Sequence, residues 1–176
     1  MKAVVIHAPH DLRIEERDLP ALGPRDVRVR VRNGGICGSD LHYFHHGGFG
    51  AVRVKAPMIL GHEVAGEVME IGRDVKAVAP GQRVAVNPSL PCNACAQCLA
   101  GRQQHCIDMR FYGSAMRNPP VDGGFREMLV CDESQAIPAE MPSERAAFAE
   151  PLSVCLHAAH QAGDLLGARM LVTGAG

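Results

Sequence analysis

The sequence predicts a mainly β fold, a barrel or sandwich of short strands that carries a metal-stapled lobe and then gives way to helix. Three observations predict it. Over the first two-thirds of the chain, short apolar or alternating runs are separated by Gly- and Pro-rich turns such as Ala79-Pro80-Gly81, a spacing that favours a barrel or sandwich over a parallel sheet. Four cysteines, Cys92, Cys95, Cys98 and Cys106, fall in one C-x2-C-x2-C-x7-C run. Near Pro142 the pattern changes to helical spacing.

Taken in order, Lys2 to His7 is a short apolar strand. Val27 to Arg32 alternates Val and Arg strictly, the period of a strand with one buried face. Glu63 to Ile71, Arg83 to Val86 and Arg126 to Cys131 are further strands. Ser143 is placed to cap a helical turn over Glu144–Ala149, and Pro151 suits the first position of a second helix, where its missing N–H costs nothing. Leu152, Cys155, Leu156 and Ala159 recur at helical spacing, with Gly163 as the stop. Arg169 to Val172 reads as a strand running into Thr173-Gly174-Ala175-Gly176, the opening of a dinucleotide-binding glycine fingerprint.

At 176 residues, 47% apolar, the chain suffices for one domain and the start of a second. Its net charge of −1, without a basic stripe, gives nucleic acid and anionic membrane no electrostatic handle. No apolar run approaches the ~20 residues a bilayer span needs. Seven cysteines is an odd total, and the opening MKAVVIHAP contains no apolar signal region, so the expectation is a cytoplasmic protein with reduced thiols. Four thiolates on one short loop then read as a closed tetrahedral shell for a structural zinc.

Gly61-His62-Glu63 opens a second pattern, G-H-E-x2-G-x5-G-x2-V, completed by Gly66, Gly72 and Val75. Together with Cys37 in Gly35-Ile36-Cys37-Gly38-Ser39-Asp40 and the cysteine run, in that order along the chain, it resembles the zinc-dependent medium-chain alcohol and polyol dehydrogenases. The resemblance covers essentially the whole chain. It implies a GroES-like, partly opened β-barrel catalytic domain over residues 1–150 with a structural-zinc lobe at 91–107. Residues 151–176 would then be the connecting helix and first strand of a truncated nucleotide-binding Rossmann domain.

The resemblance also implies site roles. Cys37 and His62 would ligate a catalytic zinc, with Glu63 and Glu150 competing for the remaining protein position. Glu150, in Phe148-Ala149-Glu150-Pro151-Leu152, stands where alcohol-oxidising relatives carry a cysteine and polyol-oxidising ones a glutamate. Ser39 and His42 would pass the substrate proton outward, Ser39 as a conduit because a hydroxyl has no useful pKa of its own; the plainer readings are a helix-capping serine and an exposed histidine. Tyr43, Tyr112 and Arg110 would line the substrate cleft, Arg110 gripping a carboxylate; core aromatics and a surface arginine paired with Asp108 are the alternatives.

Three longer stretches, at 32–43, at 108–125 and at 148–163, resemble the sugar-acid and polyol branch. The implied cofactors are two zinc ions per chain and NAD or NADP, with Gly174 and Gly176 at the pyrophosphate. The implied partner is a small sugar acid or polyol, in a homo-oligomer. A zinc-stabilised binding module and a zinc-free quinone reductase of the same superfamily are the competing classes; the first would need no second metal set, and the second neither.

Overall fold

The structure, a computed structural model, describes residues 1–174. The chain opens with β1 (Lys2–Ala8), β2 (Asp11–Glu16) and β3 (Asp26–Gly35), then α1 (Gly38–His46) and the short strands β4 (Gly48–Phe49), β5 (Val52–Arg53) and β6 (Met58–Ile59). The long β7 (Glu63–Ile71) and β8 (Arg83–Val86) follow. Then β9 (Ser89–Leu90) and β10 (Arg110–Phe111) bracket the cysteine loop, which carries a short helix, α2 (Ala96–Leu99), and a 3-10 turn at Gln103–His105. The remaining elements are β11 (Met128–Asp132), β12 (Ala136–Pro138), α3 (Ser143–Ala146) and α4 (Ala149–Gln161).

An antiparallel sheet in the order β11-β3-β7-β8-β12 carries the main core, and a smaller sheet β2-β1-β6 closes against it. The Val/Arg alternation of β3 does what the sequence predicts. Val27 and Val29 are fully buried among Val64, Val68, Val84 and Leu129, while Arg28 and Arg32 turn outward to pair with Glu70 and Glu67. Two register shifts between β3 and β7, at Arg28/Val29 and at Val31/Asn33, bend the sheet into a partly opened barrel.

Phe125 joins the two sheets. Its backbone accepts from the Val4 N–H at 2.8 Å and donates to the Leu60 carbonyl at 2.9 Å, and its ring packs against three separate clusters of buried residues. Gly61 passes directly over that ring with φ of 93°, and a Cβ there would run into the ring atoms. Glycine is therefore required at 61 on two counts, conformation and space.

Several elements differ from the sequence expectation. Helix α1 was not anticipated beyond a capped turn; it forms because Cys37 and Asp40 make a reciprocal capping box at its start and Gly47, with φ of 70°, ends it in the left-handed conformation. Ser143 is the first residue of α3 rather than its cap, and its hydroxyl donates to Asn33 Oδ1 at 2.6 Å, fastening the helix to β3. Helix α4 begins at Ala149, two residues before Pro151, whose missing N–H falls among the first-turn positions that have no intrahelical acceptor. Arg169 to Val172 is not a strand: Leu171 and Val172 are 88% and 73% exposed, and among the described residues no neighbouring strand takes their hydrogen bonds. Among the described residues, no helix is long and apolar enough to cross a membrane.

Candidate functional site

The barrel brings three separated side chains together. Cys37 leaves the end of β3 as the N-cap of α1, while His62 and Glu63 stand at the start of β7. Strand register pairs Gly35 with Glu63, and a Cβ at 35 would overlap the Glu63 carboxylate, so the glycine makes the space that the acid occupies. One donor atom each from Cys37, His62 and Glu63 lie within 4.8 Å of one another.

Asp40 organises this corner. It is 3% exposed, its Oδ2 accepts the Cys37 N–H at 3.0 Å, its Oδ1 accepts the Gly61 N–H at 3.2 Å, and the same Oδ1 lies 4.0 Å from His62 Nδ1. Burial pushes its carboxyl above the usual range, opposed by the nearby His62 and the two N–H donors. Sequence reasoning assigned Asp40 no part; the available signal was its place three residues after Cys37, where a capping carboxylate returns to the N-cap.

His62 is 6% exposed, and its Nδ1 is buried with no hydrogen-bond partner. A thiol, an imidazole and a carboxylate gathered this closely, with a buried ring nitrogen that has no hydrogen-bond partner, are costly in a folded protein, and a metal ion shared among them would relieve that cost. Sulfur, nitrogen and oxygen donors at this spacing suit a four-coordinate zinc that keeps one position open. The residues present therefore fit the metal. Glu150, near the start of α4, stands beside the trio rather than among it. Burial raises its carboxyl, with His62 opposing and Glu63 reinforcing the shift, so it shares their electrostatic neighbourhood.

A cleft of about 440 Å³ opens onto His62, with Ser39, Tyr43, Phe111, Met109 and Gln104 among its walls. Ser39 lines this cleft together with His62. His42 lies one helical turn further along α1 and is exposed. Tyr43 is a core ring, 2% exposed, whose hydroxyl accepts the Ala115 N–H at 3.0 Å. It supports the cleft wall with its hydroxyl already engaged.

Arg110 and Tyr112 are not brought to the cleft. The pleat of β10 turns Phe111 toward His62, ring centroids 5.4 Å apart, and sends its two neighbours to the opposite side, into a second cavity beside Asp26 and Gln135. The Tyr112 hydroxyl donates to the Val130 carbonyl at 3.2 Å, and burial raises its phenol. Asp108 pairs with Arg117 at 2.6 Å, so it is not the partner of Arg110. Phe111 was overlooked because a two-residue strand shows no readable alternation.

The cysteine lobe is simpler. Cys92, Cys95, Cys98 and Cys106 direct their sulfurs at one point, with Cys95–Cys98 and Cys92–Cys106 at 3.5 Å and Cys92–Cys98 at 4.0 Å. A tetrahedral zinc with bonds of about 2.3 Å sets its sulfurs roughly 3.8 Å apart, so these thiols fit a closed structural site. Backbone N–H groups of Cys92 and Asp108 donate to Cys106 Sγ, each at 3.3 Å, and that of Cys95 donates to Cys92 Sγ at 3.4 Å. Without metal the thiols titrate apart. Backbone donors draw Cys95 down to about 6, while burial and the adjacent Cys95 push Cys98 up to about 12. Of the two fingerprint glycines, Gly174 is exposed with φ of 75°, and Gly176 lies outside the described residues.

The profile of the alcohol dehydrogenase GroES-like domain family matches residues 23–142. L-idonate 5-dehydrogenase (NAD(P)(+)) of Escherichia coli strain K12 is 50% identical over 150 residues, covering 84% of this chain and 43% of that protein. Sorbitol dehydrogenase of Gallus gallus is 40% identical over 176 residues, 99% of this chain and 48% of that one. The crystal structure of the Escherichia coli L-idonate 5-dehydrogenase superposes with a TM-score of 0.87 at 43% identity, covering 93% of this chain and 47% of that one. The chain spans a little under half the length of the relatives it matches.

Proposed function

The chain belongs to the zinc-dependent medium-chain alcohol dehydrogenase family, and on that premise we propose that it is the N-terminal catalytic domain of an NAD(P) oxidoreductase that oxidises the C5 hydroxyl of L-idonate to 5-ketogluconate. The observation that carries this reading is the gathering of donor atoms from Cys37, His62 and Glu63 within 4.8 Å of one another, with His62 open to a cleft. The sugar-acid substrate is favoured by the 50% identity to an L-idonate dehydrogenase.

In this reading Cys37, His62 and one of the carboxylates Glu63 or Glu150 would hold a catalytic zinc, and the cysteine lobe a second, structural one. Bound at the first site, zinc supplies Lewis-acid polarisation of a substrate oxygen. Ser39 takes the C5 hydroxyl proton and hands it toward His42 on the next turn of α1, with Glu150 as the alternative acceptor. Asp40 keeps His62 and the Cys37 backbone in place, and Phe111 with Tyr43 walls the sugar chain away from water. NAD or NADP supplies the hydride acceptor, and residues 151–176 lead into the domain that would hold it through Gly174 and Gly176. The enzyme is read as a cytoplasmic homo-oligomer. Recognition of the substrate carboxylate is not assigned to Arg110, which faces away.

The test is the specificity constant of the enzyme carrying this domain, measured on L-idonate, sorbitol and xylitol with both nicotinamide cofactors. The highest value is expected for L-idonate. A higher value for sorbitol or xylitol would favour the polyol reading, for which the 40% identity to a sorbitol dehydrogenase over nearly the whole chain speaks. One zinc per chain with no turnover would favour a zinc-stabilised binding module.

A further inference from the structure

The C-terminal half of α1 carries three histidines in five residues, His42, His45 and His46, and a fourth, His10, sits against them. All four are exposed, with ring centroids 5.9 Å apart for His42 and His46, 6.0 Å for His45 and His46, and 5.4 Å for His10 and His45. His42 and His46 are four residues apart, so they lie one above the other on a single face of the helix. That is the spacing at which two imidazoles on a helix share one metal ion.

The distances agree. With metal–nitrogen bonds of about 2.1 Å, two imidazoles on one tetrahedral ion have ring centroids roughly 5.2 Å apart. The 5.9 Å pair needs less than about 1 Å of adjustment from exposed side chains that are free to turn. The carbonyl end of the helix adds the negative pole of its dipole, which favours a cation there. Imidazole donors select zinc, copper and nickel over calcium or magnesium.

We propose that His42 and His46 form a chelating site for one divalent transition cation on the exposed face of α1, separate from the two zinc sites. His45 faces the His10 ring and is not needed.

The zinc-loaded chain is dialysed against nickel, and both metals are counted. One nickel per chain is expected, with zinc retained. Losing one of two linked ligands removes the chelate advantage, so His46→Gln and His42→Gln are each expected to weaken nickel binding ~100-fold. Both positions are exposed, and unchanged circular dichroism certifies the fold. His157→Gln, which removes one of the other closely spaced helical histidines (His157 and His160 on α4), is expected to leave nickel uptake intact. No uptake by the parent chain, unchanged uptake in either α1 variant, loss in His157→Gln, or nickel gained only as zinc is lost would each overturn the proposal.

A consequence for catalysis rests on the proton path proposed above. A cation on His42 would block that path, so nickel should slow the enzyme, and His46→Gln should remove the slowing without altering the nickel-free rate. Nickel uptake without slowing would leave the metal site standing and remove His42 from the proton path.

Discussion

The cysteine lobe and the Cys37–His62–Glu63 corner gather metal-type donors by opposite routes. The lobe takes all its sulfurs from a single loop, Cys92 to Cys106, with a four-residue helix, a three-residue 3-10 turn and a two-strand clip of β9 and β10 for support. Leu99 and Ile107 beside its cysteines are 76% and 82% exposed, so almost no apolar packing holds it. The other corner draws Cys37 from one strand end and His62 and Glu63 from another, over a floor of fully buried valines. A local site depends on its metal for its shape. A site assembled by a barrel has its shape before any metal arrives. Perturbations should therefore separate the two: metal loss should unfold the lobe and leave the corner, while damage to the barrel should do the reverse.

The largest effect is expected at the lobe. Binding free energy at a structural zinc is folding free energy, on the order of 10 kcal/mol in small zinc domains. Cys95→Ser should lose one zinc per chain and open the loop to protease between residues 92 and 106. If even ~3 kcal/mol of this reaches global stability, Tm falls by roughly 6–12 °C. An unchanged melting curve with full zinc content would remove the contrast with the barrel.

Next comes Glu150, beside the preformed corner. Glu150→Ala in the enzyme should cut turnover by ~100-fold, about 2.7 kcal/mol in the barrier, while Tm and lobe zinc stay at parent values. Near-normal turnover would make Glu150 a structural residue and leave Glu63 as the carboxylate of the site.

Gly35→Ala probes the corner from beneath. The new methyl displaces the Glu63 carboxylate, and zinc affinity there should fall ~10-fold or more, with the lobe zinc unaffected. Metal titration resolves the two sites. Loss of both zincs together would show that the corner and the lobe are one cooperative unit.

The smallest effect concerns a part of the barrel that ignores metal altogether. Glu133 accepts the Lys76 and Ala77 N–H groups, which hold its carboxyl below the ordinary value of 4.5. A depressed folded-state value means that its contribution is present above the unfolded value and is lost as pH falls through the folded one. Glu133→Gln should lower Tm slightly at pH 7, and the difference should shrink below pH ~4. Chelator should leave the difference unchanged; a chelator-dependent difference would tie this rim to the lobe.

The same contrast explains what could be read from the sequence. The convergence of the four lobe sulfurs was legible because these cysteines share one short loop, so their spacing alone brings them together. Strands β3, β7 and β8 were legible because alternation and apolar runs report burial directly. The corner could be read only through motif resemblance, since nothing local in Cys37 reveals that β7 will deliver His62 beside it. Asp40 was missed because only one of its two N–H partners is local: Cys37 stands three residues before it, and Gly61 stands 21 residues after it. Arg110 was misplaced because the pleat that turns it away belongs to a strand of two residues, too short for any periodicity. The strand expected at Arg169–Val172 carries the right residues, but a strand exists only where a neighbour takes its hydrogen bonds.

The Phe125 ring has a consequence for how this sequence can change over time. The ring beneath position 61 and the backbone conformation there exclude every residue type but glycine, while the ring itself packs against three clusters. Neither position can drift freely: a smaller 125 leaves the seam between the sheets hollow, and it still does not free 61, whose φ of 93° calls for glycine whatever the space. Because Gly61 immediately precedes His62, a lineage that loosened this seam would alter its metal chemistry in the same step, and descendants that keep the metal inherit the pair together.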